Sequence, residues 1–158
     1  MTDENKMMQA KAVFANICDS LDARSWHYDK NEEGLSIRCS VSSDDLPIEL
    51  VIQVDSPRYL LMLLSKIPFT TPEDKRLDLA IAVSIVNNRL VDGCFDYDVK
   101  SGNMFFRMTN SYMDSKIGDD VFSYLILCSA STIDNYNEKF MLLAKGIITL
   151  EKFMDLLD

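Results

Sequence analysis

The chain has 158 residues, 47% of them hydrophobic, which is enough to bury the core of one compact domain over residues 1–158. Its 25 acidic and 16 basic residues give a net charge of −9, which opposes binding to nucleic acid or to anionic membrane surfaces. The N-terminus is polar, and the four cysteines have no C-x-x-C spacing. These features predict a cytoplasmic protein with free thiols.

The first half of the chain is expected to contain one helix and three strands. Residues 5–24 carry apolar side chains at helical spacing, whereas residues 29–34 have turn composition. Alternation over residues 35–41 and 48–54 predicts two half-buried strands that pair antiparallel. The run at residues 59–64 is apolar throughout, and its shortness between two prolines favours a strand over a buried helix.

A central helix and a hairpin are expected next. Thr71 and Pro72 form a helix start with Thr71 as the N-cap, and the helix is expected to reach Arg89. Because apolar residues wrap more than half of its circumference, this helix is expected to lie between layers. Residues 94–99 and 104–108 alternate on either side of a glycine-containing turn, which predicts a β-hairpin.

The C-terminal part is expected to form two helices. The first opens at Asp119 and is expected to break within residues 129–132, and the second is expected to cover residues 133–157. Apolar residues of the second helix form a heptad seam that has to be buried. Its members are Ile133, Tyr136, Phe140, Leu143, Ile147, Leu150, Met154 and Leu157.

Two modes of burial remain open for this seam. It lies either on the sheet or central helix of its own chain, or against a second copy of the chain. A wider apolar band around the seam favours the homodimer, as does Gly146, which suits close approach of another backbone. The candidate interface residues are Tyr136, Phe140, Leu143, Ile147, Leu150 and Met154.

No pattern predicts a catalytic, cofactor-binding or metal-binding residue. His27, the only histidine, has no other ligand at metal spacing. Residues 96–102 have some oxygens of a calcium loop, but Lys100 occupies a ligand position and Arg107 stands where a bidentate Glu belongs. Several carboxylates occur in pairs that are ordinary at helix ends and turns: Asp19 with Asp22, Asp44 with Asp45, and Asp119 with Asp120.

Several patterns invite a comparison with a known family. They are an asparagine-rich helix end at residues 87–90, hairpin strands at 93–98 and 102–107, and the segments 134–136 and 143–146. Together they resemble the YbjN-like family, whose fold is similar to that of type III secretion chaperones. The resemblance implies an α+β fold, with an antiparallel sheet of about five strands flanked by helices. It also implies a protein that is often dimeric and has no known enzymatic reaction.

The sequence therefore favours a non-enzymatic protein-binding module, chaperone-like or regulatory, that acts as a homodimer without cofactors. Its acidic charge favours neutral or basic segments of a partner polypeptide. The alternative is a small-molecule-sensing regulatory domain of a bacterial stress or sensory response. That function would place a pocket between the central helix and the sheet.

Overall fold

The structure is a computed structural model that describes residues 3–42 and 47–157. The helices and strands, in chain order, are α1 (Asp3–Ala23), β1 (Tyr28–Asn31), β2 (Ser36–Val41), β3 (Ile48–Asp55), β4 (Leu60–Thr70), a 3₁₀ turn (Glu73–Lys75), α2 (Arg76–Asn87), β5 (Cys94–Asp98), β6 (Asn103–Ser111), α3 (Asp119–Ala144) and α4 (Leu150–Asp155).

The strands of the described residues form one sheet in the order β1-β2-β3-β4-β6-β5, with antiparallel pairing throughout. The predicted α+β class, the β2–β3 pair and the β5–β6 hairpin are confirmed. The strand count is six instead of five, because β1 pairs with β2 from Tyr28 opposite Cys39 to Asn31 opposite Ser36. Its polar residues indicate a turn by composition, yet they suit an exposed edge strand equally well.

The helices of the described part pack on one face of the sheet, which we call the inner face. Along β3, every second residue is buried on this face, as the alternation predicts. The inner residues of the strands join the buried faces of the helices in one hydrophobic core. Its fully buried members include Ile17, Ile37, Leu50, Leu63, Leu79, Phe95, Phe106 and Phe140.

The start of α2 differs from the prediction. Thr71 does not cap the helix, because a 3₁₀ turn intervenes and α2 begins at Arg76. The N–H of Thr71 instead donates to the carbonyl of Gly102 at 2.9 Å, and this bond ties the end of β4 to the β5–β6 turn. A Cβ on Gly102, which has φ +75°, would stand 2.4 Å from the carbonyl oxygen of Thr71, so this close approach requires glycine.

The end of α2 is fixed to the sheet by one side chain. Asn87 Nδ2 donates to the carbonyl of Phe95 at 2.9 Å, and Asn87 Oδ1 accepts from the N–H of Phe95 at 2.8 Å. The amide thus pairs with β5 as a neighbouring strand would. This contact explains why an asparagine stands at the helix end that carries part of the family resemblance.

The predicted break at residues 129–132 is wrong, because α3 runs without interruption from Asp119 to Ala144. Ser129 and Ala130 are buried inside this helix. Serine has a modest intrinsic helix preference, and packing against the rest of the core overrides it.

The predicted single helix over residues 133–157 is also wrong, because the chain turns at Gly146. This glycine has φ +67°, and the N–H of Ile147 donates to the carbonyl of Leu142 at 2.9 Å, which is the long bond of a Schellman motif. The short helix α4 then starts anew, with the Thr149 hydroxyl accepting from the N–H of Lys152 at 3.2 Å. Gly146 therefore ends a helix rather than admitting another backbone within one.

We expect Phe140→Ala to lower the free energy of unfolding by about 3–5 kcal/mol. The Phe140 ring is fully buried and packs against the rings of Phe95, Tyr136 and Phe153. Urea unfolding followed by circular dichroism measures the change. Phe105→Ala is the matched control, because Phe105 is 37% exposed and should lose about 1 kcal/mol or less. Similar losses in both variants would contradict the assignment of Phe140 to the core.

Candidate functional site

The opposite face of the sheet, which we call the outer face, carries apolar side chains that lie outside the core. We call this group the outer strip. Each member is partly exposed and none belongs to the core cluster of the described residues. The members are Val51, Leu60, Met62, Leu64 and Phe105.

The outer strip follows β4, which lies between β3 and β6 in the sheet. Leu60, Met62 and Leu64 are successive outward positions, so they span about 13 Å along the strand. Val51 stands directly opposite Leu64 on the neighbouring strand. The run at residues 59–64 is confirmed as part of a strand, and it lacks alternation because β4 is apolar on both faces.

Charged groups border the outer strip. Arg107 Nε donates to Asp96 Oδ2 at 2.6 Å, and this hydrogen bond holds the pKa of Asp96 below its usual range despite partial burial. Arg58 forms a 2.5 Å ion pair with Asp55 and lowers the pKa of Asp55 in the same way. Burial, with a contribution from Asp96, raises the pKa of the Cys94 thiol, so Cys94 is not an activated nucleophile.

A second uncovered apolar surface lies on α2, and we call it the α2 stripe. Leu77 is 73% exposed, Ile81 one turn later is 49% exposed, and Ile85 after a further turn is partly exposed. Residues 79–88 contain no charged side chain. The expectation that this helix lies between layers is therefore wrong for the side that carries the α2 stripe.

Most of the predicted interface residues lie within the subunit. Phe140 and Leu143 are fully buried, and Tyr136 and Leu150 are partly buried against the core. Phe140 and Leu143 thus stabilise their own subunit, and neither can contact a second chain unless the core opens. The seam is apolar chiefly because it closes the inner face of the sheet.

The turn at Gly146 changes which residues of the last helix point inward. Phe153, which is not in the seam, is fully buried and stacks on Phe140 at 5.4 Å between ring centroids. Ile147 and Met154, which are in the seam, are 63% and 40% exposed. For these two residues the interface stays a prediction.

The remaining candidates from the sequence do not form a cluster. Within residues 3–42 and 47–157, no group of three His, Cys, Asp or Glu side chains could hold a metal ion. His27 is exposed in the loop before β1. Asp98 Oδ1 accepts from the N–H of Lys100 at 2.9 Å, as an ordinary turn residue does. Asp44 and Asp45 lie outside the described residues.

The outer strip and the α2 stripe were missed as surfaces, although the sequence contains a signal for each. An apolar run without alternation in a strand requires two apolar faces, and helices cover only one of them. A helix such as α2, with no charged side chain after Asp78, likewise has an apolar side left over when it packs on a sheet. From the sequence alone, both patterns are indistinguishable from those of a strand or helix that is buried on all sides, because the number of packed layers is not known.

In the part of the chain that the structure describes, no helix is long and apolar enough to traverse a lipid bilayer.

The antiparallel sheet with helices on one face is an α+β fold that is similar to the fold of type III secretion chaperones. No protein-family profile matches the sequence, and no curated protein is significantly similar to it. Among solved structures, a chain of the HopA1–SchA chaperone–effector complex is similar, with 16% identity and a TM-score of 0.56 over 83% of this chain and 97% of that chain. YbjN from E. coli, a candidate transcription regulator, is similar with 10% identity and a TM-score of 0.56 over 84% and 89%. The predicted YbjN-like resemblance is thus confirmed for the fold.

We expect the Asp96–Arg107 pair to stabilise the fold only above acidic pH. The pKa of Asp96 is lower in the folded state than in the unfolded state, where it is about 3.9. The stabilisation by the ion pair is therefore fully present above the unfolded-state pKa and is lost as the pH falls through the folded-state pKa. Both side chains are more than a third exposed, so Asp96→Asn should cost less than about 1 kcal/mol at neutral pH. Urea unfolding across the acidic range measures this difference.

The partner of Asp96 provides the control. Arg107→Gln should raise the pKa of the Asp96 carboxyl towards its usual value, which NMR titration of that carboxyl detects. An unchanged titration in Arg107→Gln would contradict the pairing.

Proposed function

We propose that this chain is a non-enzymatic, chaperone-like module that works as a homodimer in the cytoplasm and binds an extended segment of a partner polypeptide. The observation that carries the proposal is the outer strip, an apolar surface on a central strand that no helix of the described part covers. The fold supports it, because a chain of a chaperone–effector complex has the same architecture.

The outer face suits a polypeptide better than a small polar substrate. Its centre offers apolar contact along β4, and its border offers charged groups of both signs, such as Arg107 and Asp96. An extended chain can place alternate side chains on such a strip while its polar groups meet the border. The net charge of −9 favours neutral or basic segments.

The cysteines support a non-enzymatic role in a reducing compartment. All four are free thiols. Burial raises the pKa of Cys39 to about 11, which makes this thiol a poor nucleophile near neutral pH.

The α2 stripe is the proposed site of dimerisation. Two copies related by a two-fold axis would bury Leu77, Ile81 and Ile85 against each other without desolvating a charge on residues 79–88. Lys75, just before α2, lies close to Gly146, so the exposed Ile147 stands near the start of the stripe. This arrangement retains Ile147 from the predicted interface and adds residues that the seam does not contain.

We expect Ile81→Asp to convert a dimer into a folded monomer, raising the dimer dissociation constant by more than about tenfold. Ile81 is half exposed, so the aspartate can be solvated in the monomer but is unpaired in the dimer. Light scattering after gel filtration measures the mass, and circular dichroism confirms folding.

Leu127→Asp is the matched control for the dimer experiment. Leu127 is a similarly exposed leucine, 56% accessible, on α3 instead of α2. It should leave the dimer intact. A monomeric native chain, or dissociation by Leu127→Asp alone, would contradict dimerisation through the α2 stripe.

We expect the native chain to capture a subset of short synthetic peptides on an array, with a preference for neutral or basic peptides that contain apolar residues. Leu64→Glu should abolish most of this capture, because it places a charge in the centre of the outer strip beside Val51. Bound protein is detected by fluorescence of a labelled chain.

Ser40→Glu controls for the added charge alone. Ser40 lies on the outer face of β2, two strands from Leu64, and is exposed. Its variant should retain capture. Equal capture by Leu64→Glu and the native chain would show that the outer strip does not bind peptides.

A further inference from the structure

The strands β3 and β4 separate at one end of the sheet. Ladder pairing between them ends at Val51 and Leu64. Beyond that point, residues 48–50 pair with β2 and residues 65–66 pair with β6, but the described residues of β3 and β4 no longer pair with each other. A cleft of about 490 Å³ opens between them, and we call it the α3–sheet cleft.

The walls of the α3–sheet cleft are largely apolar and contain no buried charge. Pro47 lies just before β3, Pro68 lies in β4, and α3 lines the cleft with Ile133. The apolar wall residues are Pro47, Ile48, Pro68, Phe69 and Ile133. Glu49 and Lys66, which also line the cleft, are exposed.

Two buried polar side chains interrupt these walls. Ser65 takes an inward position on β4 between Leu63 and Ile67, and it is only 2% exposed. Asn137 lies on α3 one turn after Ile133 and is 8% exposed.

The amide of Asn137 is only half satisfied. Its Oδ1 accepts the N–H of Glu138, whereas its NH2 group donates to no described residue. The NH2 group is not one of the buried side-chain atoms of the described residues that lack a partner, so solvent reaches it in the unbound chain. An acceptor brought by a ligand would satisfy the NH2 group instead.

We infer that the α3–sheet cleft anchors one uncharged apolar side chain of the bound polypeptide segment, while the NH2 group of Asn137 donates to a main-chain carbonyl of that segment. This inference rests on the proposed function and specifies a second contact for the same segment. The ligand class is an aliphatic or aromatic residue flanked by peptide carbonyls. A charged side chain is excluded because the buried walls offer it no counter-charge.

The position of the cleft supports a polypeptide as the occupant. Leu64 is the last β4 residue of the outer strip, and Ser65, the next residue of the same strand, lines the cleft. A segment that follows β4 on the outer face therefore reaches the cleft where the sheet opens. In the gap, residues 48–50 and 65–66 have a ladder partner on one side only among the described residues, and an extended chain can pair with a strand edge of this kind.

The test uses N-acetyl-leucine N-methylamide as the probe and N-acetyl-glutamate N-methylamide as its charged counterpart. Binding is followed by amide chemical shifts of the native chain in NMR spectra. We expect the leucine probe to shift Ile48, Ser65, Ile133 and Asn137, and the glutamate probe to leave them unchanged. Asn137→Leu should weaken leucine binding by about three- to tenfold, the value of one hydrogen bond, and should not lower Tm.

This pair of readouts separates a binding role from a structural one, because a structural asparagine would lower Tm when replaced. Asn135→Leu is the matched control, since Asn135 is exposed on the same helix, and it should leave probe binding unchanged. The inference fails if neither probe shifts the cleft residues, if Asn137→Leu binds the leucine probe as tightly as the native chain, or if its Tm falls.

The two proposals can fail separately. If the peptide array shows capture that Leu64→Glu abolishes and Asn137→Leu does not weaken, the cleft is not part of the binding site while the proposed function stands. If the leucine probe binds in the cleft but no peptide is captured, both the polypeptide occupant and the proposed function are wrong.

Discussion

The constraint on which the rest of the structure depends is that β4 is apolar on both sides while the helices of the described part cover only one. Inner residues such as Leu61 and Leu63 are buried under the helices, and Leu60, Met62 and Leu64 stay partly exposed on the other side. Only a second layer of structure could cover the other face of β4, and the described residues provide none there. The outer strip is therefore a direct consequence of this sequence in this topology.

The C-terminal segment shows how the inner face is closed. One uninterrupted helix through residue 157 would carry the seam away from the sheet over its last turns. Gly146 ends α3, and α4 returns beside α2, so that Phe153 can stack on Phe140. The apolar seam thus serves mainly to complete the core, and its exposed members are Ile147 and Met154.

The sequence predicts those elements whose local pattern and tertiary environment agree. The alternation in β2, β3, β5 and β6 identifies strands, because one face of each is buried and the other is solvated. It fails for β1, whose polar residues form a strand only because β2 offers a partner. The prediction from composition is also wrong at Ser129, where packing maintains a helix that composition alone would interrupt. The sequence does not distinguish Asn137 from an ordinary helix residue, because the cleft that it lines forms only where β3 and β4 separate in the folded chain.

The positions of the two uncovered surfaces make dimerisation and partner binding compatible. The buried side of α2, including Leu79 and Val83, joins the core on the inner face, so the α2 stripe faces away from the sheet. The outer strip lies on the far side of that sheet. A two-fold dimer through α2 would leave both outer faces open and directed away from the dimer axis. Each subunit could then bind its own segment, and one long partner with two such segments would gain affinity through its effective concentration.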